Sequence, residues 1–329
     1  MTDPNFTERA ASGLPAPSTS AGASSYFSQP EQTLDPNLFH GEYIRPEVRE
    51  RILTPLEHWL ASNHLNVAHG DIRAWLAGSG ITYQWAASRG NGDLDVMVSF
   101  DVTTFEQKNP AWRGWSEVDL AGDLNDAMKA GLWPSTSATQ LGNQLYDITY
   151  FWNPGTKDDI RHIHPYAAFD VIHDTWVVRP PRLGERPGDA FPKSWYNQAS
   201  QDSESAERLT GAYNHYLSRL SASSPGSSDH HNAGAALNAI VAEAGNLFTD
   251  LHTGRRAAFS AQGQGYGDYA NFRWQHGKLT GAVQALHEIA QVGVEARKAQ
   301  ETEQWGAPID GAEIALRRAA QQYRGRGTR

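Results

Sequence analysis

Apolar side chains recur at helical spacing from Pro46 onward: Val48, Ile52, Leu53, Leu56, Trp59 and Leu60 form one stripe, with Pro46 suited to a first turn. A short apolar segment, Ile72 to Leu76, then runs into Gly78-Ser79-Gly80. From Asp93 to Phe100 the pattern alternates strictly. Leu94, Val96, Val98 and Phe100 take one face, while Asp93, Asp95, Met97 and Ser99 take the other, which predicts a half-buried strand. Residues 119–132 read as a helix that closes at Gly131-Leu132-Trp133-Pro134. Two runs rich in β-branched and aromatic residues follow, Leu145 to Trp152 and Tyr166 to Val178, the first ended by Asn153-Pro154-Gly155 and the second by Arg179-Pro180-Pro181.

After Phe191-Pro192 helical periodicity dominates, with helices expected at about 203–222, 232–252, 268–300 and 309–324. A Ser/Gly/Pro stretch at 221–229 separates the first two. Residues 1–38 are rich in Ser, Ala, Pro, Thr and Gly without apolar periodicity, and are expected to form a disordered tail. The chain therefore divides into a tail (1–38), a mixed α+β lobe (39–190) and an all-helical lobe (191–329).

Composition narrows the chemistry. The chain carries 28 basic and 37 acidic side chains, a formal −9, which argues against a protein that coats nucleic acid through a generally basic surface. It has no cysteine, which excludes disulfides, thiolate zinc sites, iron–sulfur clusters and cysteine nucleophiles. No apolar run approaches the roughly 18 residues of a membrane span, and the N-terminus lacks a secretory h-region, so a cytoplasmic protein without membrane contact is expected.

The candidate chemistry lies in Gly78-Ser79 followed by Asp93-x-Asp95. Glycine permits close backbone approach, and Ser79 offers both an amide and a hydroxyl to phosphate oxygens. Asp93 and Asp95, at i and i+2 of one strand, share a face and can hold hard cations through oxygen. A two-metal site needs a further carboxylate from a neighbouring strand, and both Asp170 and Asp147 sit between apolar strand residues. His162-Ile163-His164 has no evident third ligand and stays outside the metal set. Gly263 to Gly267 follows a helix rather than a strand, which excludes a dinucleotide fingerprint and suggests a flexible loop.

Gly78-Ser79, Asp93-x-Asp95 and a later strand acid resemble the signature of the DNA polymerase β-like nucleotidyltransferase superfamily. The helical second lobe is similar to the branch containing oligoadenylate synthetases and cyclic-nucleotide synthases. The resemblance implies a mixed-sheet nucleotidyltransferase lobe followed by a helical lobe. It implies Asp170 as the third acid, on a hairpin partner of the strand holding Asp147. Asp93, Asp95 and Asp170 would then bind two Mg²⁺ ions, with Mn²⁺ as the alternative. Ser79 and Gly78 would hold an NTP, with Lys193, Lys278 and Tyr196 as further nucleotide contacts. The implied reaction moves a nucleotidyl group to a hydroxyl acceptor and releases pyrophosphate. An oligo- or cyclic nucleotide is the first implied product, with addition to an RNA 3′ end, small-molecule modification or a silent nucleotide- or RNA-binding module as the alternatives. One departure is Gly80-Ile81-Thr82-Tyr83-Gln84-Trp85, which is bulky where many relatives carry small or basic residues.

Overall fold

A computed structural model describes residues 25–65, 67, 71–85, 92–156, 159–182 and 191–306. The expected helix at 309–324 and residues 1–24 of the expected tail lie outside the described residues. The structure is mixed α+β and divides into two units. One holds a six-stranded sheet and spans residues 25–191 together with 257–268. The other is helical and comprises, of the described residues, 192–256 and 269–306.

The sheet-bearing unit begins with a small hairpin, β1 (Phe39–His40) and β2 (Tyr43–Ile44), and then α1 (Pro46–Ser62). α1 has Pro46 in its first turn and buries Val48, Ile52, Leu56 and Trp59, the stripe its spacing predicts. β3 (Ile72–Ala77) and β4 (Gly92–Phe100) follow, then α2 (Val102–Lys108), α3 (Glu117–Gly131) and the single turn α4 (Trp133–Thr136). Ser116 caps α3, its hydroxyl accepting the Asp119 amide at 3.1 Å. The remaining strands are β5 (Thr139–Leu141), β6 (Gln144–Trp152), β7 (Ala168–Asp170) and β8 (Thr175–Val178), in sheet order β5-β6-β4-β3-β7-β8. β4 and β6 run parallel and the other neighbours antiparallel, so the sheet is mixed.

The alternation of β4 is obeyed across the whole sheet. Ala74, Leu76, Leu94, Val96, Val98, Ile148, Tyr150 and Trp152 face the main core with the buried stripes of α1 and α3. The opposite face carries a smaller apolar cluster of Trp75, Ala77, Met97, Ile160, Ile163 and Ala168, and, beyond it along β4, Asp95 and Asp93.

Several expectations are corrected. The run 166–178 is not one strand but the hairpin β7–β8. Asp170 turns the chain by accepting the Ile172 and His173 amides at 3.0 and 2.9 Å. Residues 25–38, read as tail, are packed: Tyr26, Leu34 and Leu38 are buried, and Gln84 donates to the Ser25 and Tyr26 carbonyls at 2.9 Å each. Their few large side chains bury enough area to hold the segment without any periodicity. The Gly263–Gly267 loop is anchored rather than free, since Tyr266 donates to Gln84 Oε1 and accepts from Tyr26 through its own carbonyl, both at 3.0 Å. Tyr26, Tyr166 and Tyr266 pack ring on ring there.

The helical unit consists of α5 (Lys193–Ala222), α6 (Ser228–Ala258), α7 (Tyr269–Leu279) and α8 (Ala282–Trp305). The helix expected at 268–300 is broken because Gly281 adopts φ +79°, a conformation costly for any other residue. Leu209, Tyr213, Leu237, Ala244, Leu286 and Ile289 form its core. Arg273 of α7 ties α5 and α6 together, donating to Asp202 at 2.5 and 2.8 Å and to Asp250 at 2.6 Å. Burial lowers the His276 imidazole below its ordinary 6.5, against the attraction of Asp202.

Replacing Gln84 with Leu strips hydrogen bonds from the Ser25 and Tyr26 carbonyls and the Tyr266 hydroxyl, and is expected to cost about 1–3 kcal/mol in urea unfolding. The lowered pKa of His276 means that the folded state favours the neutral ring. Its stabilisation is present above pH 6.5 and lost as pH falls through the depressed folded value. Thermal unfolding as a function of pH should therefore show destabilisation on acidification below pH 6.5, partly flattened in His276→Gln.

Candidate active site

The site is built on the end of the sheet where β3 leaves and β4 enters. β3 stops at Ala77, and Gly78 turns the chain with φ +93° and ψ −168°, a region open essentially to glycine alone. A Cβ at Gly78 would stand 3.3 Å from Asp95 Oδ2, so the turn lies directly against that carboxylate. A Cβ at Gly80 would stand 2.8 Å from the Asp93 carbonyl oxygen and 3.1 Å from Leu94 Cδ2. The Gly-Ser-Gly turn is thus pressed onto the first residues of β4. The Ser79 carbonyl accepts both the amide and the hydroxyl of Thr82, at 3.1 and 2.9 Å, which fixes the turn from inside. Ser79 itself remains half-exposed beside the acids.

Asp93 is exposed and Asp95 half-buried on the same face of β4. In the parallel pairing with β6, Asp93 stands opposite Asp147 and Asp95 opposite Thr149. Adjacent strands lie about 4.8 Å apart, so Asp147 directly flanks the pair on the shared face. Trp133 donates its indole N–H to Asp147 Oδ1 at 2.9 Å. β6 is pinned from its other face, where Tyr146 donates to Asp35 at 2.5 Å and Tyr150 to the Ile52 carbonyl at 2.8 Å. Burial pushes both phenols well above their ordinary pKa, so they remain donors and the strand stays in place.

Asp170 is placed differently. β6 and β7 lie on opposite sides of the β3–β4 pair and are not hairpin partners, because β6 pairs with β4 and β5, and β7 with β3 and β8. Asp170 stands opposite Trp75 on the acid-bearing face, but two strand spacings, about 10 Å, separate β7 from β4. Its carboxylate is buried and engaged with its own turn. Oδ1 accepts the Ile172 and His173 amides, and Oδ2 lies 2.9 Å from His173 Nδ1. Arg49 of α1 holds the same turn by donating to the Val171 and Ile172 carbonyls, both at 2.6 Å.

Lys193, Lys278 and Tyr196 belong to the helical unit. Lys193 opens α5 and Lys278 lies in the last turn of α7, both exposed, whereas Tyr196 packs edge-on against Phe272 with ring centroids 4.9 Å apart. His162 and His164 bracket the end of a short helical turn and each sets Nδ1 3.2 Å from a main-chain carbonyl, Thr156 and Ser260 respectively. Trp133 escaped the sequence reading, where it served only as part of a helix stop. An exposed tryptophan ahead of an acid-bearing strand was its one signal.

Asp93, Asp95 and Asp147 are hard oxygen donors of the kind Mg²⁺ takes. Among the described residues no three His, Asp or Glu side chains converge as a ready-made cation site. The arrangement fits a Mg²⁺ ion bound through one or two carboxylates and completed by substrate phosphate, the usual mode for that ion. Among the described residues no helix is long and apolar enough to cross a membrane. Comparison with protein-family models, curated proteins and solved structures finds no match.

Gly78→Ala forces a side chain into a conformation reserved for glycine and against the Asp95 carboxylate. It is expected to destabilise the protein by about 1–3 kcal/mol in chemical denaturation.

Proposed function

We propose that this protein is a Mg²⁺-dependent nucleotidyltransferase that moves a nucleotidyl group from an NTP to a hydroxyl acceptor. The observation that carries this reading is the seating of the Gly78-Ser79 turn on the Asp95 carboxylate, because it puts a phosphate-binding turn and a carboxylate pair in contact. In this reading Asp93 and Asp95 hold Mg²⁺ with the triphosphate, and Ser79 donates its amide and hydroxyl to phosphate oxygens. Asp147, rather than Asp170, supplies the third carboxylate, because it stands in register with Asp93 on the adjacent strand whereas Asp170 is committed to its hairpin turn.

When bound, Mg²⁺ neutralises the phosphates and lowers the pKa of the attacking hydroxyl. The chain's own task is positioning: the rigid β3–β4 turn orients the phosphates, and the acid row sets where the acceptor oxygen approaches. No nucleophilic side chain is required. Lys193, Lys278 and Tyr196 enter as nucleotide contacts through the resemblance alone. A second reading, a nucleotide- or RNA-binding module without turnover, draws on the Trp133 bond that already occupies one oxygen of Asp147.

The test is incubation of the full chain with each labelled NTP and Mg²⁺ or Mn²⁺, with and without RNA. Product formed from NTP alone indicates polymerisation or cyclisation, and label only in added RNA indicates 3′-end addition. NTP that is bound but not consumed supports the second reading. Asp95→Asn and Asp147→Asn are expected to reduce activity to background with the fold retained by circular dichroism. Asp170→Asn, which keeps an acceptor oxygen for the turn, should remain active. Activity retained in Asp95→Asn would sink the metal assignment, and loss only in Asp170→Asn would restore that residue as the third acid.

A further inference from the structure

Beside Trp133, between α3 and the outer edge of β6, lies an open cleft of about 420 Å³. That is within the range of small-molecule sites. β6 pairs with β4 from Tyr146 to Trp152, but β5 covers its outer edge only through Gln144–Tyr146. Beyond that point side chains take over as partners. Thr136 Oγ1 donates to the Ile148 carbonyl at 2.7 Å. Asn125 closes both groups of Trp152, accepting its amide at 2.6 Å and donating to its carbonyl at 2.9 Å.

Main-chain groups alternate sides along a strand, so those of Tyr146, Ile148, Tyr150 and Trp152 all point to this outer edge. Tyr150 is the member left between the two side-chain plugs. Its ring is buried in the main core and its hydroxyl donates to the Ile52 carbonyl, so its main chain is what lies along the outer edge. Beyond the β4 ladder, no hydrogen bond among the described residues engages the Tyr150 N–H or C=O. One adjacent donor and acceptor on this edge therefore lie outside the coverage of β5, Thr136 and Asn125.

The gap suits one kind of occupant. Thr136 and Asn125 close the edge on either side, which leaves one residue of edge, too little for a peptide strand to pair with. A planar ring bearing a neighbouring N–H and acceptor matches it. The walls are aromatic: Trp133, 43 % exposed, and half-buried Phe151. The indole is held in orientation by its bond to Asp147. Asp126 and Lys129 at the rim cancel in charge, which favours a neutral ligand over a phosphate.

We infer that this cleft binds a nucleobase, stacked on Trp133 and read by the main chain of Tyr150. The inference deepens the nucleotidyl-transfer reading, on which it rests for assigning that base to the acceptor, since Thr149 in the cleft wall stands in register with Asp95. Binding of the base itself needs neither triphosphate nor metal.

The experiment titrates the full chain with adenosine, guanosine, cytidine and uridine by calorimetry and ligand-observed NMR, in metal-free buffer. At least one should bind. Methylation of its Watson–Crick-edge nitrogen should weaken binding about tenfold, as expected for a lost edge hydrogen bond. Trp133→Ala should weaken it about tenfold or more, with Trp133→Phe retaining most of the affinity. Absence of binding by all four, binding indifferent to edge methylation, or binding unchanged in Trp133→Ala would each overturn the inference. These outcomes are separable from failure of nucleotidyl transfer, because Asp95→Asn removes turnover in that reading while leaving the nucleoside titration unchanged.

Discussion

The parallel pairing of β4 with β6 is the contact on which the candidate site depends, because it decides which side chains stand beside Asp93 and Asp95. With Asp93 opposite Asp147 and Asp95 opposite Thr149, a strand of alternating residues becomes one edge of a two-strand acidic surface. A shift of one residue in that register would exchange the faces and send Asp147 into the core among Val96, Val98 and Leu94. The register is held from the buried side by apolar packing and by the Tyr146 and Tyr150 phenols, whose partners Asp35 and Ile52 come from the chain ahead of the sheet. The segment before β1 thus has a structural task, although its composition resembles a linker.

The antiparallel pairing of β3 with β4 supplies the second half of the geometry. It sets Ala77 opposite Asp95, so the chain that leaves β3 must turn immediately beside that carboxylate. Only glycine tolerates both the dihedral angles and the proximity at position 78. Two features that are separate in sequence, a small-residue turn and an acid pair, are therefore one structural object. Asp170 shows the opposite case, in which a strand-flanked acid is spent on holding a hairpin closed, assisted by His173 and by Arg49 of α1.

Much of this was legible in the residues. The stripe of α1, the alternation of β4 and the change of character after Pro192 are local patterns, and local periodicity survives folding because each face must meet either core or water. The Gly78-Ser79 and Asp93-x-Asp95 pairings were legible for the same reason. Less local features were misjudged. The run at 166–178 reads as one strand because its turn is made by an aspartate, a histidine and apolar residues, without glycine or proline. Residues 25–38 read as tail because their few anchors, Tyr26, Leu34 and Leu38, follow no period.

The amino-acid sequence by itself determined the class of elements, the α+β composition, the two carboxylates on one face and the glycine turn ahead of them, since each depends on neighbours within a few residues. Which strand acid stands beside them, and what lies next to it, was decided only by tertiary structure. Asp147 and Asp170 are alike in local context, both flanked by β-formers, and nothing near them in the chain distinguishes a strand that pairs with β4 from one that pairs with β3. Strand order is set by how the whole sheet buries its apolar face under α1 and α3, a non-local balance. The same balance leaves the main chain of Tyr150 uncovered between Thr136 and Asn125. No residue-level pattern encodes that gap, because it exists only where three distant segments stop short of one another.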